Sequence, residues 1–349
     1  MGPNENILEL VREKEAEAIK QTQRAVILQP GAIGDCILTL RLSKFIKESL
    51  ELSEIDLVGN TEYTGILPGR TCIDRVRSIE SVDMYKLFTS AKEFDLADGD
   101  ALINFFAEYS WIVTFLGEPN SDFEQNLIFT ANCSHSAEVV TVSSKPSKKF
   151  SGHISDFYIR QFIRQCGLSV KAGQGRGDEV LIKSTESDID CARALLKEAG
   201  ISVCEKAVII HPGSGSSGKC WHLDNFLAVA KELTSEGLEV IFLLGPAELE
   251  RFDEGQNRDM RTVGRCLTDL SLAEVLGLLS CAGAFVGNDS GITHLAAGLG
   301  VRTVAVFGPS NPVLYKPAGP CVTIVTSKAG DFSEQACPAL QQQVSGALL

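Results

Sequence analysis

The chain has 349 residues, of which 44% are hydrophobic, and a formal net charge of −13 at pH 7. This length predicts about two domains with hydrophobic cores of ordinary size. The acidic balance argues against nucleic acid or an anionic membrane as the main partner, so an acidic substrate would need a local basic patch. The eleven cysteines are scattered and form no CxxC pair, which is typical of a reduced, cytoplasmic protein.

The beginning of the chain predicts a helix rather than a targeting segment. Residues 5–23 have an amphipathic pattern, so we expect residues 1–23 to form an N-terminal helical extension. The first twenty residues are charged and polar, unlike a signal peptide. No apolar run in the sequence reaches the roughly 18 residues that a membrane-spanning helix needs. We expect a cytoplasmic protein without a membrane span, and peripheral contact with the inner membrane stays open.

From residue 24 onwards, short apolar strands alternate with glycine-containing turns and helices. This alternation is typical of parallel sheets covered by helices on both faces. The near-copies AVILQPG (25–31) and AVIIHPG (207–213) each begin one half of the chain. We therefore expect an α/β protein with two Rossmann-like domains that face a central cleft. In such sheets, ligands bind beyond the carboxyl ends of the strands.

The expected domain boundaries follow from this pattern. Residues 24–172 form the N-terminal domain and residues 180–325 the C-terminal one. The glycine-rich, charged segment 171–179 is typical of an interdomain linker. Residues 326–349 are expected to pack back on the N-terminal domain.

The stretch FVGNDSGITHLAAGLG (285–300) ends an apolar run and opens a helix with Asp289, Ser290, Gly291 and His294. A helix N-terminus offers unpaired N–H groups and partial positive charge, and small residues let an anion such as phosphate approach them. The alternative interpretation is that Asp289 or Ser290 caps the helix and that His294 is simply packed.

The stretch HPGSGSSGKCWHLDNF (211–226) forms a long loop rich in glycine and serine. Ser214, Ser216 and backbone amides are suited to phosphate oxygens, with Lys219 as the charge partner. Trp221 would form an apolar wall beside them. The alternative is a flexible loop with a solvated lysine and a tryptophan that anchors the next helix. The loop is not a Walker A motif, because a cysteine follows the lysine.

Two carboxylates occupy the beginnings of predicted helices. Asp35, in QPGAIGDCILTL (29–40), is placed to accept a proton from an acceptor hydroxyl, or else caps its helix. Glu248, in GPAELER (245–251), is placed to bind ribose hydroxyls, or else complements the helix dipole. The spacing around Asp35 does not fit the GxGxxG dinucleotide fingerprint. Neither of the two Cys-x-His pairs of the sequence has a second pair at zinc spacing, so no metal site is predicted.

Four segments together resemble glycosyltransferase family 9, the lipopolysaccharide heptosyltransferases: ILQPGAIGDCILTL, HPGSGSSGKCWHLDNF, LLGPAELE and GNDSGITHLAAGLGVRTVAVFGPSNP. Their order and spacing cover roughly residues 25–320. The resemblance implies a GT-B fold and an inverting transfer of heptose from an ADP-heptose donor. It also implies a lipid-linked or glycan acceptor such as the lipopolysaccharide inner core, and neither a cofactor nor an obligatory metal.

The resemblance also implies roles for single residues. Asp35 looks like the general base, Lys219 like the residue that steadies the donor phosphates, and Glu248 like the ribose contact. The expected donor-binding residues are Ser214, Ser216, Lys219, Trp221, Glu248, Asp289, Ser290, Gly291 and His294. The expected residues on the acceptor side are Gly31, Gly34, Lys148 and Lys149. The last two belong to a basic stretch that also includes Lys145, Arg160 and Arg164, and its alternative interpretation is an ordinary solvated surface.

The sequence departs from the family pattern at three positions. Gln29 stands where members often have arginine, Arg41 where they often have proline, and His222 where proline often follows the tryptophan. Other functions therefore stay open: a transferase or epimerase for another nucleotide-sugar, a transferase acting on protein, or a non-catalytic nucleotide-sugar binder. An NAD-dependent oxidoreductase is less expected, because the dinucleotide fingerprint fails.

Overall fold

A computed structural model of the protein describes residues 23–168, 179–201, 206–327, 330, 332 and 336–349. The helix predicted over residues 1–23, apart from Gln23, lies outside the described residues, and so does most of the predicted linker. No helix within the described residues is both long and apolar enough to cross a bilayer.

The described chain divides into two compact units. The first unit contains residues 23–31, 39–150 and 155–168. The second unit contains almost everything from residue 179 onwards together with two short pieces from the first half, residues 32–38 and 151–154. The expected division into two α/β halves is thus observed, with two short exchanges that the sequence pattern did not indicate.

The first unit is built on a five-stranded sheet in the order β3-β2-β1-β4-β5. All neighbouring strands pair in parallel. The near-copy AVIL lies in the central strand and is buried throughout, as a strand covered on both faces must be. The strands are β1 Arg24–Leu28, β2 Glu54–Gly59, β3 Arg75–Ser78, β4 Trp111–Thr114 and β5 Glu138–Thr141.

Within the described residues, the α-helices of this half of the chain are α1 Ile33–Ser49, α2 Thr61–Thr64, α3 Ala101–Phe106, α4 Asp122–Ala131 and α5 Ile154–Cys166. Three of them begin with a side-chain cap, Asn60 for α2, Asp100 for α3 and Ser121 for α4, which satisfies a backbone N–H group left open at a helix start.

The second unit is built on a six-stranded parallel sheet in the order β11-β10-β9-β6-β7-β8. The second near-copy, AVIIH, is strand β6, an interior strand that is buried at every position. The strands are β6 Ala207–His211, β7 Glu239–Leu244, β8 Arg265–Thr268, β9 Ala284–Asn288, β10 Thr303–Phe307 and β11 Val322–Thr326.

The helices of the second half connect and cover these strands. They are α6 Glu186–Glu198, α7 Leu223–Ser235, α8 Pro246–Arg251, α9 Glu254–Val263, α10 Leu272–Cys281, α11 Gly291–Gly298, α12 Pro312–Tyr315 and α13 Pro338–Leu348.

Residues 338–348 of the C-terminal segment, which the sequence predicts to pack on the N-terminal domain, form helix α13. Helix α13 buries Leu340, Val344 and Leu348 in the core of the second unit. These residues recur every four positions and so form one apolar face. The side-chain oxygen of Asn225, on α7, accepts hydrogen bonds from the backbone N–H of Cys337 (2.9 Å) and from Gln341 Nε2 (2.7 Å). The helix therefore completes the second core.

Candidate functional site

The second sheet gathers four polar or glycine-rich segments at its carboxyl edge. Strands β10, β9, β6 and β7 are neighbours in that order and run parallel, so their last residues, Phe307, Asn288, His211 and Leu244, lie along one edge. The motifs singled out in the second half of the sequence follow these ends directly. Ligands of open parallel sheets bind at such an edge.

Asp289 is the centre of this group. Its Oδ2 atom lies 2.7 Å from Lys219 Nζ, and its Oδ1 atom lies 3.6 Å from His294 Nε2. Its backbone carbonyl accepts a 2.8 Å hydrogen bond from Ser214 Oγ. The Asp289 side chain is only 7% exposed, whereas 41% of the Lys219 side chain is exposed. The carboxylate is thus fixed and buried, while the ammonium that it holds reaches solvent.

The surroundings of Asp289 keep its carboxyl group charged. Burial acts to raise its pKa, but hydrogen bonds from His294, Lys219 and Ser310 outweigh burial and hold the pKa well below the usual range. Each of these donors favours the ionised form. The site therefore contains a permanent negative charge beside the positive charge of Lys219.

Ser290 caps helix α11, as the alternative interpretation held. Its Oγ atom accepts a 3.4 Å hydrogen bond from the backbone N–H of Thr293 and lies 3.0 Å from Thr293 Oγ1. Gly291 follows as the first helical residue. A Cβ atom on Gly291 would lie 2.0 Å from Cγ2 of Ile33, so a larger residue does not fit there.

His294 is buried and packed, with 4% of the residue exposed. Its Nε2 atom faces Asp289, and its Nδ1 atom has no hydrogen-bond partner among the described residues. A Cβ atom on Gly34 would lie 3.3 Å from the Cδ2 atom of this ring. The ring therefore lies against backbone and against the buried carboxylate.

Asn288, at the end of β9, ties the Ser-rich loop to the sheet edge. Its side-chain nitrogen donates to the carbonyls of Pro212 (2.8 Å) and Gly213 (3.2 Å). Its side-chain oxygen accepts a 2.9 Å bond from the backbone N–H of Trp221. One buried amide thus holds both ends of the loop. Asn288 lies within the GNDSG motif, but no local sequence pattern predicts this role.

The loop itself is held at its ends and exposed in its middle. The Ser214 hydroxyl is buried and already donates to Asp289, so that hydrogen is not directed to a ligand. Residues 215–218 are exposed, which leaves Ser216 as the accessible hydroxyl of the two predicted ones. Trp221 is 2% exposed and packs edge-on against Phe226, with ring centroids 5.1 Å apart. It anchors helix α7, in agreement with the alternative interpretation.

Glu248 lies at the neighbouring strand end, in the first turn of α8. It is only 4% exposed, and its Oε2 atom accepts a 2.9 Å hydrogen bond from the backbone N–H of Gly245. Its other oxygen faces Gly213, where a Cβ atom would lie 1.6 Å from Oε1. The carboxylate therefore occupies space that only a glycine leaves open, and one of its roles is to cap its own helix.

Arg251, at the end of the same helix, contacts the Ser-rich loop at two points. One guanidinium nitrogen lies 3.2 Å from the carbonyl oxygen of Ser214, and the other lies 2.7 Å from Cys220 Sγ. Sequence reasoning missed this residue. The signal available was its position three residues after Glu248, one helical turn away on the same face.

Asp35 lies in the first turn of α1 and is exposed. Its Oδ2 atom accepts a 3.2 Å hydrogen bond from the backbone N–H of Ala32, which is the capping contact that the alternative interpretation expects. Residues 32–38 belong to the second unit, as do Asp289 and Lys219. An exposed carboxylate at a helix start satisfies the accessibility that a base toward a substrate hydroxyl requires.

The predicted acceptor-side residues have different surroundings. The backbone N–H of Gly31 donates a 2.9 Å bond to Oε1 of buried Gln29, whose Nε2 donates to Thr39 Oγ1. Gln29 therefore organises the turn before α1. Lys148 and Lys149 lie exposed in an irregular segment.

The structure also describes the remaining residues of the basic stretch and two of the positions that depart from the family pattern. Arg160 is exposed, with its guanidinium 5.7 Å from the ring centroid of Phe150, and Lys145 and Arg164 are exposed. Arg41 is buried and pairs with Asp156 at 2.9 Å. His222 contacts the carbonyl of Phe332 at 2.9 Å. Within the described ranges, no three His, Cys, Asp or Glu side chains are grouped in a way that would hold a metal ion.

Comparison with known proteins identifies the chain's relatives. Residues 178–343 match the model of glycosyltransferase family 9 (heptosyltransferase). The chain is 21% identical over 300 residues to lipopolysaccharide heptosyltransferase 1 of Campylobacter coli, covering 82% of this chain and 84% of that protein. It is 26% identical over 174 residues to lipopolysaccharide heptosyltransferase 3 of Escherichia coli K12, covering 49% of this chain and 50% of that protein. The match thus spans only about half the length of the Escherichia coli relative.

Solved structures show the same fold. The glycosyltransferase family 9 protein of Veillonella parvula superposes with a TM-score of 0.66 at 18% identity, covering 87% of this chain and 86% of that one. Escherichia coli heptosyltransferase WaaC with ADP superposes with a TM-score of 0.64 at 17% identity, covering 93% and 100%.

Two parallel α/β units with these structural neighbours define a protein of the GT-B fold class, as the sequence predicts. Within that class, the family match and the relatives give a specific assignment. Residues 178–343 match glycosyltransferase family 9, and over 300 residues the chain is similar to a lipopolysaccharide heptosyltransferase, in agreement with the resemblance carried by its four motifs.

Proposed function

We propose that the protein transfers a heptose from ADP-heptose to a hydroxyl group of the lipopolysaccharide inner core or a related glycan, with inversion at the anomeric carbon. The observation that carries this proposal is the Lys219–Asp289 pair at 2.7 Å, on the carboxyl edge of the second sheet. It lies within the family match. The names of the relatives support heptose as the sugar, and a structural neighbour solved with ADP supports the nucleotide.

In this proposal, the second unit stabilises the leaving ADP. Lys219 supplies an accessible ammonium whose direction is fixed by buried Asp289, and Ser216 adds an exposed hydroxyl. The N-terminus of α11 contributes partial positive charge next to Ser290. Groups fixed before the reaction stabilise developing charge without reorganisation. The Asp289 carboxylate acts through Lys219 and His294, since its own charge would repel a phosphate.

Glu248 is proposed to accept hydrogen bonds from the ribose hydroxyls. Its Oε2 atom is already bonded to the backbone of Gly245, so the role falls to Oε1, which lies beside Gly213. A buried carboxylate that is bonded on one oxygen is held in one orientation. This orientation suits recognition of a neutral diol.

Asp35 is proposed as the general base of a single displacement. As the acceptor oxygen forms its bond to the anomeric carbon, its proton passes to the Asp35 carboxylate. The bond between the anomeric carbon and the phosphate oxygen breaks at the same time, and ADP leaves with the electron pair. Asp35 is exposed, so it reaches the acceptor by giving up or sharing the Ala32 contact.

Three further expectations belong to the proposal. The reaction needs no metal, so activity should be unchanged by a chelator. The acceptor contacts Gly31, Gly34, Lys148 and Lys149. The enzyme works in the cytoplasm, in peripheral contact with the inner membrane where a lipid-linked acceptor is presented.

Calorimetric titration with ADP, UDP, GDP and NAD tests the proposal. Selective ADP binding that is weakened in Lys219→Ala supports it and justifies an acceptor screen. A preference for UDP or GDP would assign another nucleotide-sugar. Binding of NAD would instead indicate an oxidoreductase, and binding of none of the four would contradict the proposed donor.

A further inference from the structure

Arg251 contacts both ends of the loop that carries Lys219. Its guanidinium lies 3.2 Å from the Ser214 carbonyl, where the loop begins, and 2.7 Å from Cys220 Sγ, where the loop ends. A planar guanidinium presents several N–H donors in a fixed fork, so this single side chain connects a backbone carbonyl with the side-chain sulfur of Cys220. Between these points, residues 215–218 are exposed.

The opposite side of the loop is held by Asp289. Ser214 Oγ donates to its backbone carbonyl, and Lys219 Nζ pairs with its carboxylate. Asp289, the residue that follows β9, therefore contacts the loop near both of its ends. Helix α8 contacts the same two ends through exposed Arg251, at Ser214 and Cys220.

Helix α8 also carries Glu248, three residues before Arg251 and 4% exposed. The buried carboxylate fixes the beginning of this short helix through the Gly245 N–H. One turn of helix α8 and the Arg251 guanidinium therefore connect the Glu248 carboxylate with Cys220, at the end of the Ser-rich loop.

We infer that Arg251 is a positioning residue, which sets the Ser214–Cys220 loop, and through it the Lys219 ammonium, at a fixed distance from Glu248. This inference rests on the proposed function, because the ligand spanned by these groups is the nucleoside diphosphate. Arg251 acts through Lys219 and makes no contact with the donor itself.

A double-mutant cycle on ADP affinity tests the inference. Calorimetry is applied to the wild type, Arg251→Met, Lys219→Ala and the double variant, with thermal melting of each. We expect Arg251→Met to weaken ADP binding about 10-fold at an unchanged melting temperature. In the Lys219→Ala background, we expect the same change to have an effect of less than about twofold, because coupled residues are not additive. Equal weakening in both backgrounds, or no weakening in either, would overturn the inference.

Two further variants separate geometry from charge. Arg251→Lys keeps the charge but replaces the fork with a single ammonium, so we expect it to bind ADP as weakly as Arg251→Met. If Arg251→Lys binds ADP with wild-type affinity, the fork geometry of the guanidinium is not required and the inference is overturned. Arg258→Met removes an exposed arginine of α9 and is the matched control, expected to bind like the wild type.

If Arg251→Met does not fold, Cys220→Ala removes one of the two contacts at little structural cost, and its coupling to Lys219→Ala is measured instead. If the wild type does not bind ADP, the proposed function fails. The wild type binding ADP, with weaker binding by Lys219→Ala, supports the proposed function. If Arg251→Met then binds ADP as tightly as the wild type, only the inference fails.

Discussion

The Lys219 ammonium and the Asp289 carboxylate form an ion pair that is open on one side only: 7% of the aspartate side chain is exposed, against 41% of the lysine. The carboxylate cannot turn to solvent, and its other oxygen faces His294. The ammonium has three N–H donors. One is directed to Asp289, and the exposed side of the ammonium is accessible to an anion. The pair is electrically neutral, so attraction of a diphosphate relies on how the ammonium is directed and on nearby donors.

Removing the ammonium should weaken ADP binding sharply. We expect Lys219→Ala to lose roughly 10- to 100-fold in ADP affinity, the range for a hydrogen bond to a charged group. The buried carboxylate of Asp289 is then left without its lysine and repels the phosphates. Calorimetry with ADP measures the loss. Lys231→Ala, which removes an exposed lysine of α7, is the control, and equal affinity in the two variants would contradict the assigned role.

Substitution of the proposed base should separate catalysis from binding. We expect Asp35→Ala to lower kcat by about 10²- to 10⁴-fold, the usual contribution of general-base catalysis. ADP affinity should stay unchanged, because Asp35 is proposed to act on the acceptor hydroxyl and not on the nucleotide. Turnover with ADP-heptose and calorimetry with ADP provide the two readouts. Wild-type turnover in Asp35→Ala would remove Asp35 from the mechanism.

A methyl group at Gly213 should displace Glu248. The added Cβ atom would lie 1.6 Å from Oε1, which no packing tolerates. We expect Gly213→Ala to raise the donor KM about 10-fold and to lower the free energy of unfolding by about 1–3 kcal/mol. Gly215→Ala is the control, because a Cβ atom there meets nothing within 4 Å. If both variants have the wild-type KM, Glu248 does not contact the donor.

The lowered pKa of Asp289 predicts how stability changes with pH. In the unfolded chain an aspartate titrates near pH 3.9, and in the folded protein its pKa lies below that value. The stabilisation is therefore present above about pH 4 and is lost as the pH falls through the folded pKa. We expect the difference in unfolding free energy between the wild type and Asp289→Asn to be constant above about pH 5 and to shrink as the pH falls below about 4. Urea unfolding measures it, with exposed Asp259→Asn as the control, and a difference independent of pH would contradict the assignment.

Charge reversal in the exposed segment of the first unit tests the acceptor side. If Lys148 and Lys149 attract an acidic glycan, Lys148→Glu/Lys149→Glu should raise the acceptor KM several-fold and leave the donor KM unchanged. The effect should fall with added salt, because exposed charges are screened. An unchanged acceptor KM at low salt would show that these lysines are ordinary solvated surface.

The sequence predicts the sheets well because their signal is local. Apolar runs such as AVIL and AVIIH, bounded by glycine turns, identify buried parallel strands wherever they occur. The capping role of Ser290 was likewise visible as one of two interpretations. The group at the sheet edge was predictable because parallel strands bring their carboxyl ends together.

What the sequence could not predict depends on contacts between distant residues. The bond between Asn288 and the Trp221 backbone joins residues 67 apart, and no local pattern indicates it. Ser214 and Trp221 have residue types suited to ligand contact, yet the structure uses one to bind Asp289 and the other to fill the core. The contacts that hold α13 to the second unit likewise join distant residues, such as Asn225 and Gln341.

The three hydrogen bonds of the Asn288 amide have a thermodynamic consequence for ligand binding. They fix Pro212, Gly213 and Trp221 through contacts within the chain itself, so the entropy cost of ordering the ends of this loop is met when the chain folds. A nucleotide then binds to a preorganised frame. The heat-capacity change of ADP binding should accordingly be small, as expected for burying one ligand rather than for folding a segment around it.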